Sequence, residues 1–279
     1  MEGCPKGGVV ALSENPNKPA NRITFVGAGP GDAELITVKG ARLLAEADLV
    51  VYTGSLVDRE LVRAYAPDAR ICDSSCMTLE ETTRVLAEAA FEGERGVRLH
   101  TGDPSIFGAI QEQMAELDRL GIGYDVVPGV TSAFAAAAVL KQELTLPEVT
   151  QTVIITRLAG RTPVPERESL ARSAAIGATM VIYLSVAMIE EVVAELLEGA
   201  YTKDTPAAVV AKASWPNEQI VEGTLADISD KVRESGITKQ ALIIIGDVLM
   251  ARRQGMTARS LLYDKDFSHE FRKGTSVIA

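Results

Sequence analysis

Residues 22–48 read RITFVGAGPGDAELITVKGARLLAEAD. The first seven, RITFVGA, form an apolar run rich in β-branched residues, the pattern of a buried strand. Glycines follow at 27, 29 and 31. ELITVKGARLLAEAD (34–48) then places Leu35, Val38, Leu43 and Leu44 at helical spacing. Strand, glycine turn and helix in that order make the opening half of a βαβ unit.

The alternation continues. DLVVYT (48–53), ARICDS (69–74), VRLHTG (97–102) and YDVVPG (124–129) read as strands. LVDRELVRAY (56–65), TLEETTRVLAEAAFEG (78–93), FGAIQEQMAELDRLG (107–121) and TSAFAAAAVLK (131–141) read as helices. Thr78 and Glu81 have the spacing of a capping box, and Gly121 that of a helix stop. LPEVTQ (146–151) breaks the pattern with a proline and marks a domain boundary. A second series follows, with strands at 152–157, 179–185, 206–214, 219–224 and 240–249, and helices around 166–175, 187–200 and 225–236. The expected fold class is α/β: two α/β domains, 22–145 and 146–249, each with a largely parallel sheet. Residues 1–21, rich in Gly, Pro and Asn, and the charged stretch 250–279 are expected to be tails.

Composition narrows the function. The 279 residues are 47% hydrophobic and 24% charged, as in a globular protein. No apolar run reaches the roughly 20 residues of a membrane span, and the N-terminus has no long apolar segment of a secretory signal. The net charge of −10 disfavours binding along a phosphate backbone, so no nucleic-acid partner is expected. Three cysteines cannot all pair, and a reducing cytoplasm suits them. Cys72 and Cys76 lack partner ligands in the sequence, and no His/Cys cluster has zinc-site spacing, so no metal is expected.

Three loops carry the chemistry. VGAGPGD (26–32) lies where open α/β sheets bind ligands, at the carboxyl end of a strand. A dinucleotide fingerprint would need glycine at 32, where Asp32 stands, and Pro30 removes a backbone donor, so a standard NAD or FAD site is disfavoured. HTGDPSIFG (100–108) and VPGVTSAFAAAA (127–138) repeat the arrangement after the fourth and fifth strands. Each loop alone also suits a plain capped turn, with Asp103 as helix cap and Thr131 or Ser132 likewise. His100 suits a structural role as well as a pocket role. Together the three loops are expected to converge on one cleft. A phosphate-loop lysine motif is absent, and no Ser-His-Asp order or paired carboxylates suggest a hydrolase.

These loops, with TQTVIITRLAGRTPVPE (150–166), MVIYLS (180–185), VVAKASWPNEQIVEGTL (209–225) and KQALIIIG (239–246), resemble the tetrapyrrole (corrin and porphyrin) methylases over residues 22–249. HTGDP, the 150–166 segment and KASWP most resemble the branch that methylates corrin precursors on the way to cobalamin. The resemblance implies S-adenosylmethionine as methyl donor, held in a cleft between the two domains, an anionic tetrapyrrole as substrate, and a homodimer. It assigns donor contacts to Pro30, Thr101, Gly102, Asp103, Ile106, Thr131 and Ser132 in the first half, and to Leu184, Ala213, Ala241 and Leu242 in the second. No catalytic general base is assigned. A carboxylate-bearing macrocycle on an acidic protein requires local positive charge. Arg157, Arg161, Lys212 and Lys239 lie on the motif-bearing segments, and arginine grips a carboxylate through a planar fork. His100, next to the second loop, is a further candidate for the ring or its metal. Methylation at another ring position, or tetrapyrrole binding without catalysis, are the alternative expectations.

Overall fold

The computed structural model describes residues 22–251 and 260–275. The tail expected at 1–21 lies outside the described residues. The chain divides into two compact units at Ser132/Ala133. The sequence places the boundary later, at 145/146. Both positions fall between the last strand of one sheet and the first of the next.

The first unit holds strands β1 (Ile23–Gly27), β2 (Leu49–Tyr52), β3 (Arg70–Asp73), β4 (Gly96–His100) and β5 (Tyr124–Val127) in the order β3-β2-β4-β1-β5, every pair parallel. Helices α1 (Val38–Ala45), α2 (Arg59–Tyr65), α3 (Leu79–Glu92) and α4 (Ile110–Arg119) supply the crossovers. The sheet is apolar on both faces, as the unbroken apolar runs require. Val26, Val50, Tyr52, Val97 and Leu99 pack with Leu44, Leu61 and Val62 of α1 and α2. Ile23, Phe25, Leu49 and Val51 pack on the other side with Leu86, Ala89 and Ala90 of α3 and Leu117 of α4. The capping box at Thr78 and Glu81 forms.

The helix expected at 34–48 is broken. Asp32 accepts a hydrogen bond from the Glu34 amide and opens a single 3-10 turn, Ala33–Leu35. Ile36 is extended, and the Thr37 hydroxyl then accepts from the Gly40 amide to open α1. Two caps five residues apart start the helix twice, and the second start wins because Val38 onward carries the amphipathic face.

The second unit contains β6 (Val153–Arg157), β7 (Thr179–Tyr183), β8 (Pro206–Ala211), β9 (Gln219–Thr224) and β10 (Ala241–Ile245) in the order β6-β7-β10-β8-β9. Helices α5 (Ser132–Val139), α6 (Leu170–Ala174), α7 (Ile189–Leu197), α8 (Ile228–Ser235) and α9 (Val248–Ala251) accompany it, α5 starting one residue before the division. The α/β class holds, but the second sheet is not largely parallel. Only β6 and β7 pair in parallel; β7 with β10, β10 with β8, and β8 with β9 are antiparallel. The cause is the β8–β9 connection. Residues 212–218 are too few for a parallel crossover, which needs a dozen or so, and the chain reverses as a hairpin. Helix α8 then carries β10 back between β7 and β8, against the direction of both.

The expected tail at 250–279 is also partly built. Helix α9 reaches Ala251, and Ser260–Thr275 folds around Arg272, whose Nη2 donates to the carbonyls of Leu262, Asp264 and Phe267.

Candidate functional site

In the first unit, the loops after β1, β4 and β5 meet at the carboxyl edge of the sheet. Gly29 and Gly102 form a backbone bridge, with Gly102 N–H donating to Gly29 O at 2.8 Å. A Cβ on Gly27 would stand 2.5 Å from Gly102 O and 2.6 Å from Gly129 Cα. A Cβ on Gly129 would stand 2.1 Å from Gly102 O and 2.8 Å from Gly27 Cα. The three loops are therefore packed backbone to backbone, which only glycine permits.

Asp103 stitches this contact. Its Oδ1 accepts from the Ser105 amide at 2.8 Å and its Oδ2 from the Gly129 amide at 2.9 Å. The carboxylate both caps its own turn and ties the β4 loop to the β5 loop. Pro30 and Thr131 are buried, and Thr101, Ile106 and Ser132 are half-buried. Thr131 Cα and Ser132 N lie 3.6 and 3.7 Å from where a Gly102 Cβ would be. Thr101 Oγ1 is a buried hydroxyl with no hydrogen-bond partner among the described residues. A buried polar atom without a partner is costly, and one on a ligand-side loop is placed to bond a ligand. Phe107 and Ala109, further along the β4 loop, both have left-handed backbone, at φ 53° and 48°.

His100 is the last residue of β4. Its side chain is 6% exposed, and its ring lies 5.9 Å from that of Phe25, on the face covered by α3 and α4. The imidazole is packed beneath the sheet edge, and its Nε2 is buried without a hydrogen-bond partner among the described residues. Burial, with the nearby positive charge of Arg98, pushes its pKa down to about 3. The unfolded chain, with an ordinary histidine near 6.5, takes up a proton first as pH falls. His100 therefore makes stability fall as pH drops from 6.5 toward about 3, by at most about 1.4 kcal/mol per pH unit. His100→Gln is expected to flatten that part of the curve. Urea midpoints of the two proteins across the window check it; parallel curves would refute the assignment.

In the second unit, β6, β7 and β8 end, and β9 and β10 begin, at one edge of the sheet. Leu184, Lys212, Ser214 and Gln240 cluster in sequence around this edge, all with left-handed backbone at φ 55°, 50°, 71° and 54°. Strain of this kind costs about 1–3 kcal/mol per residue and gathers at functional sites. The Lys212 amide donates to Gln240 O at 2.9 Å, joining the β8 and β10 loops. Leu184 is 69% exposed, Ala213 and Leu242 are buried, and Ala241 is half-buried.

The cations differ from one another. Arg157 is spent within its own loop: Nη1 donates to Leu158 O at 3.4 Å and Thr162 O at 3.1 Å, and Nη2 to Pro163 O at 2.6 Å. It shapes the segment that carries Arg161. Arg161 and Lys239 are exposed and Lys212 is half-buried. Among the described residues no group of three or more His, Cys, Asp or Glu could hold a metal ion, and no helix is long and apolar enough to cross a membrane.

The sequence reading missed Arg98. It is 7% exposed in β4 and bonds Gln113, Val51, Ser74 and Thr53. The signal was available: an arginine inside an apolar strand, two residues before His100 and hence on the same face.

The first unit is a parallel α/β sheet with a glycine-packed carboxyl edge, the place where such sheets bind ligands, and the second is a mixed α/β unit with a strained loop edge. The profile of the Tetrapyrrole (Corrin/Porphyrin) Methylases matches residues 22–229, and the chain belongs to that family. The cobalt-precorrin-4 C(11)-methyltransferase of Methanocaldococcus jannaschii is 54% identical over 252 residues, 90% of this chain and 96% of that protein. The crystal structure of a cobalamin biosynthetic enzyme, cobalt precorrin-4 methyltransferase, is similar at a TM-score of 0.80 with 47% identity, covering 82% of this chain and 95% of that one. The uroporphyrin-III C-methyl transferase of Thermus thermophilus, complexed with S-adenyl homocysteine, has a TM-score of 0.70 with 31% identity, over 83% of this chain and 100% of that one.

Proposed function

We propose that this protein transfers a methyl group from S-adenosylmethionine to C-11 of a precorrin-4 ring in cobalamin synthesis, as a homodimer in the cytoplasm. The observation that carries the reading is the convergence of Gly27, Gly102 and Gly129 beside the unpartnered Thr101 hydroxyl, at the strand edge where this sheet type binds ligands. The similarity to enzymes named for precorrin-4 supplies the acceptor.

The donor's sulfonium methyl is already activated, so the protein need form no covalent intermediate. Its work is orientation, which is worth about 7–11 kcal/mol when reacting groups are held in line. The glycine contact lets three loops approach the donor as backbone, and Thr101 Oγ1 is free to bond it. Pro30, Gly102, Ile106, Thr131 and Ser132 belong to the same loops. Asp103 acts mainly by fixing them, although each of its oxygens retains a second lone pair. Leu184, Ala213, Ala241 and Leu242 are proposed as further donor contacts on the second unit. Arg161, with Lys212 and Lys239, is proposed to receive the carboxylates of the macrocycle.

Incubating purified protein with S-adenosylmethionine and cobalt-precorrin-4, then metal-free precorrin-4, tests this. The expected result is S-adenosylhomocysteine release and an NMR-assigned C-11 methyl on one of the two. Tetrapyrrole binding without release would instead indicate a carrier, and a methyl at another carbon a different member of the family. Light scattering reports the dimer.

The cation assignment gives a separate expectation. Arg161→Ala removes an exposed fork, worth about 1 kcal/mol, and should raise the KM for tetrapyrrole roughly fivefold without changing donor affinity. Arg157→Ala should do the same more weakly, by loosening the 158–163 segment. Unchanged kinetics in the double variant at low and high salt would remove both from substrate recognition.

A further inference from the structure

Arg98 is a buried guanidinium whose bonded partners among the described residues are all neutral. Its Nε donates to Gln113 Oε1 at 3.0 Å. Nη1 donates to Ser74 Oγ at 2.9 Å and Val51 O at 3.3 Å, and Nη2 to Thr53 Oγ1 at 3.4 Å. Its charge stays in place although burial pulls the pKa down to about 10. A buried cation without a carboxylate is expensive, and an apolar side chain of similar volume would fill the space at lower cost. What it provides is connection: the end of β2, the end of β3 and helix α4 are joined through one side chain.

Gln113 carries that connection further. It is 6% exposed in α4. Arginine has only donors, so the amide must turn its oxygen toward Arg98. Its Nε2 is then directed away and donates to Ala109 O at 3.0 Å. Ala109 is the residue before α4, lies at φ 48°, and gives the helix no side-chain cap. Phe107, two residues earlier, is also left-handed. Left-handed backbone is costly for a non-glycine residue, so two such residues in three do not persist unless held. Asp103 holds the front of this loop through the Ser105 and Gly129 amides. Gln113 holds its rear.

We propose that Arg98 and Gln113 are positioning residues for methyl transfer: the pair fixes the rear of the 103–109 loop through the Ala109 carbonyl and so sets the affinity for the donor. This rests on the donor-binding role proposed above for that loop. Neither residue touches the reacting atoms. Arg98 sets which way the amide points, and the amide sets the loop.

Gln113→Glu separates this role from stability. A carboxylate at 113 still accepts from Arg98 Nε and also neutralises the buried charge. It has no proton to donate to Ala109 O while ionised beside a guanidinium. The variant is expected to melt no lower than the parent. In the ligand-free protein, amide exchange across residues 105–110 should be roughly fivefold faster, the effect of one lost hydrogen bond of about 1 kcal/mol. The Kd for S-adenosylmethionine by calorimetry should rise by a similar factor, with the KM for tetrapyrrole unchanged. Gln113→Met, which loses both bonds, should show the same faster exchange together with a lower melting temperature, and it serves if the glutamate variant does not fold. Exchange and donor Kd at parental values in the variant that folds would overturn the proposal. So would faster exchange spread over the whole protein rather than confined to 105–110. Failure of the parent to bind the donor would overturn the functional reading instead, while the exchange comparison still decides whether the pair holds the loop.

Discussion

Gly129→Ala is expected to remove measurable donor binding and to destabilise the first unit by about 3 kcal/mol or more. The added Cβ would lie 2.1 Å from Gly102 O and 2.8 Å from Gly27 Cα, and both obstacles are backbone. A side-chain clash can be relieved by a rotamer change, but this one requires the β1, β4 and β5 loops to part. Overpacking costs about 1–3 kcal/mol even where side chains can yield. Gly121→Ala is the control. Gly121 has φ +68° with nothing within 4 Å of its would-be Cβ, so only left-handed strain of about 1–2 kcal/mol applies. Urea melts and S-adenosylmethionine titrations of both variants distinguish steric closure of the loops from general strain. Donor affinity within threefold of the parent in Gly129→Ala would mean that the glycine contact is not the cradle.

Asp103→Ala is expected to weaken donor binding roughly ten- to hundredfold and to lower stability at the same time. Both oxygens serve backbone amides, and a hydrogen bond to a charged group is worth about 1.5–3 kcal/mol. The alanine variant leaves the Gly129 and Ser105 amides without their acceptor. Asp103→Asn keeps one oxygen and turns an amide group toward the other donor, so it should fall between parent and alanine. The joint loss is the diagnostic. If Asp103 touched only the donor, affinity would fall while the melting temperature of the ligand-free protein stayed constant.

The first sheet was readable because its signal is local. Each strand is a short apolar run, each helix has a polar face, and parallel pairing follows from the crossovers. The glycine contact was readable for a similar reason: Gly27, Gly102 and Gly129 each stand at or just past the end of a strand, and the strands of one parallel sheet end at one edge. Strand direction in the second sheet was not. The alternation of strands and helices looks the same whether β10 inserts parallel or antiparallel. The one cue was the short 212–218 connection, with Pro216 and Asn217 at its turn. Side-chain partners were less readable still. Arg157 and Arg161 are alike in sequence, yet the path of residues 158–163 wraps carbonyls around the first. The face of His100 took the whole strand to read: in VRLH, Val97 and Leu99 belong to one side of the sheet, which sends Arg98 and His100 together to the other.

The insertion of β10 bears on how the chain is made. β10 is the last strand of its sheet in sequence and the middle one in space, with Ile243, Ile244 and Ile245 fully buried between β7 and β8. During synthesis, β6 to β9 leave the ribosome with a strand-wide gap, and β7 and β8 each offer an unpaired edge until residue 245 has emerged. Such edges recruit other chains. A stop codon between Thr224 and Ala241 therefore does more than shorten the protein: it leaves a half-finished sheet that is sticky on two sides.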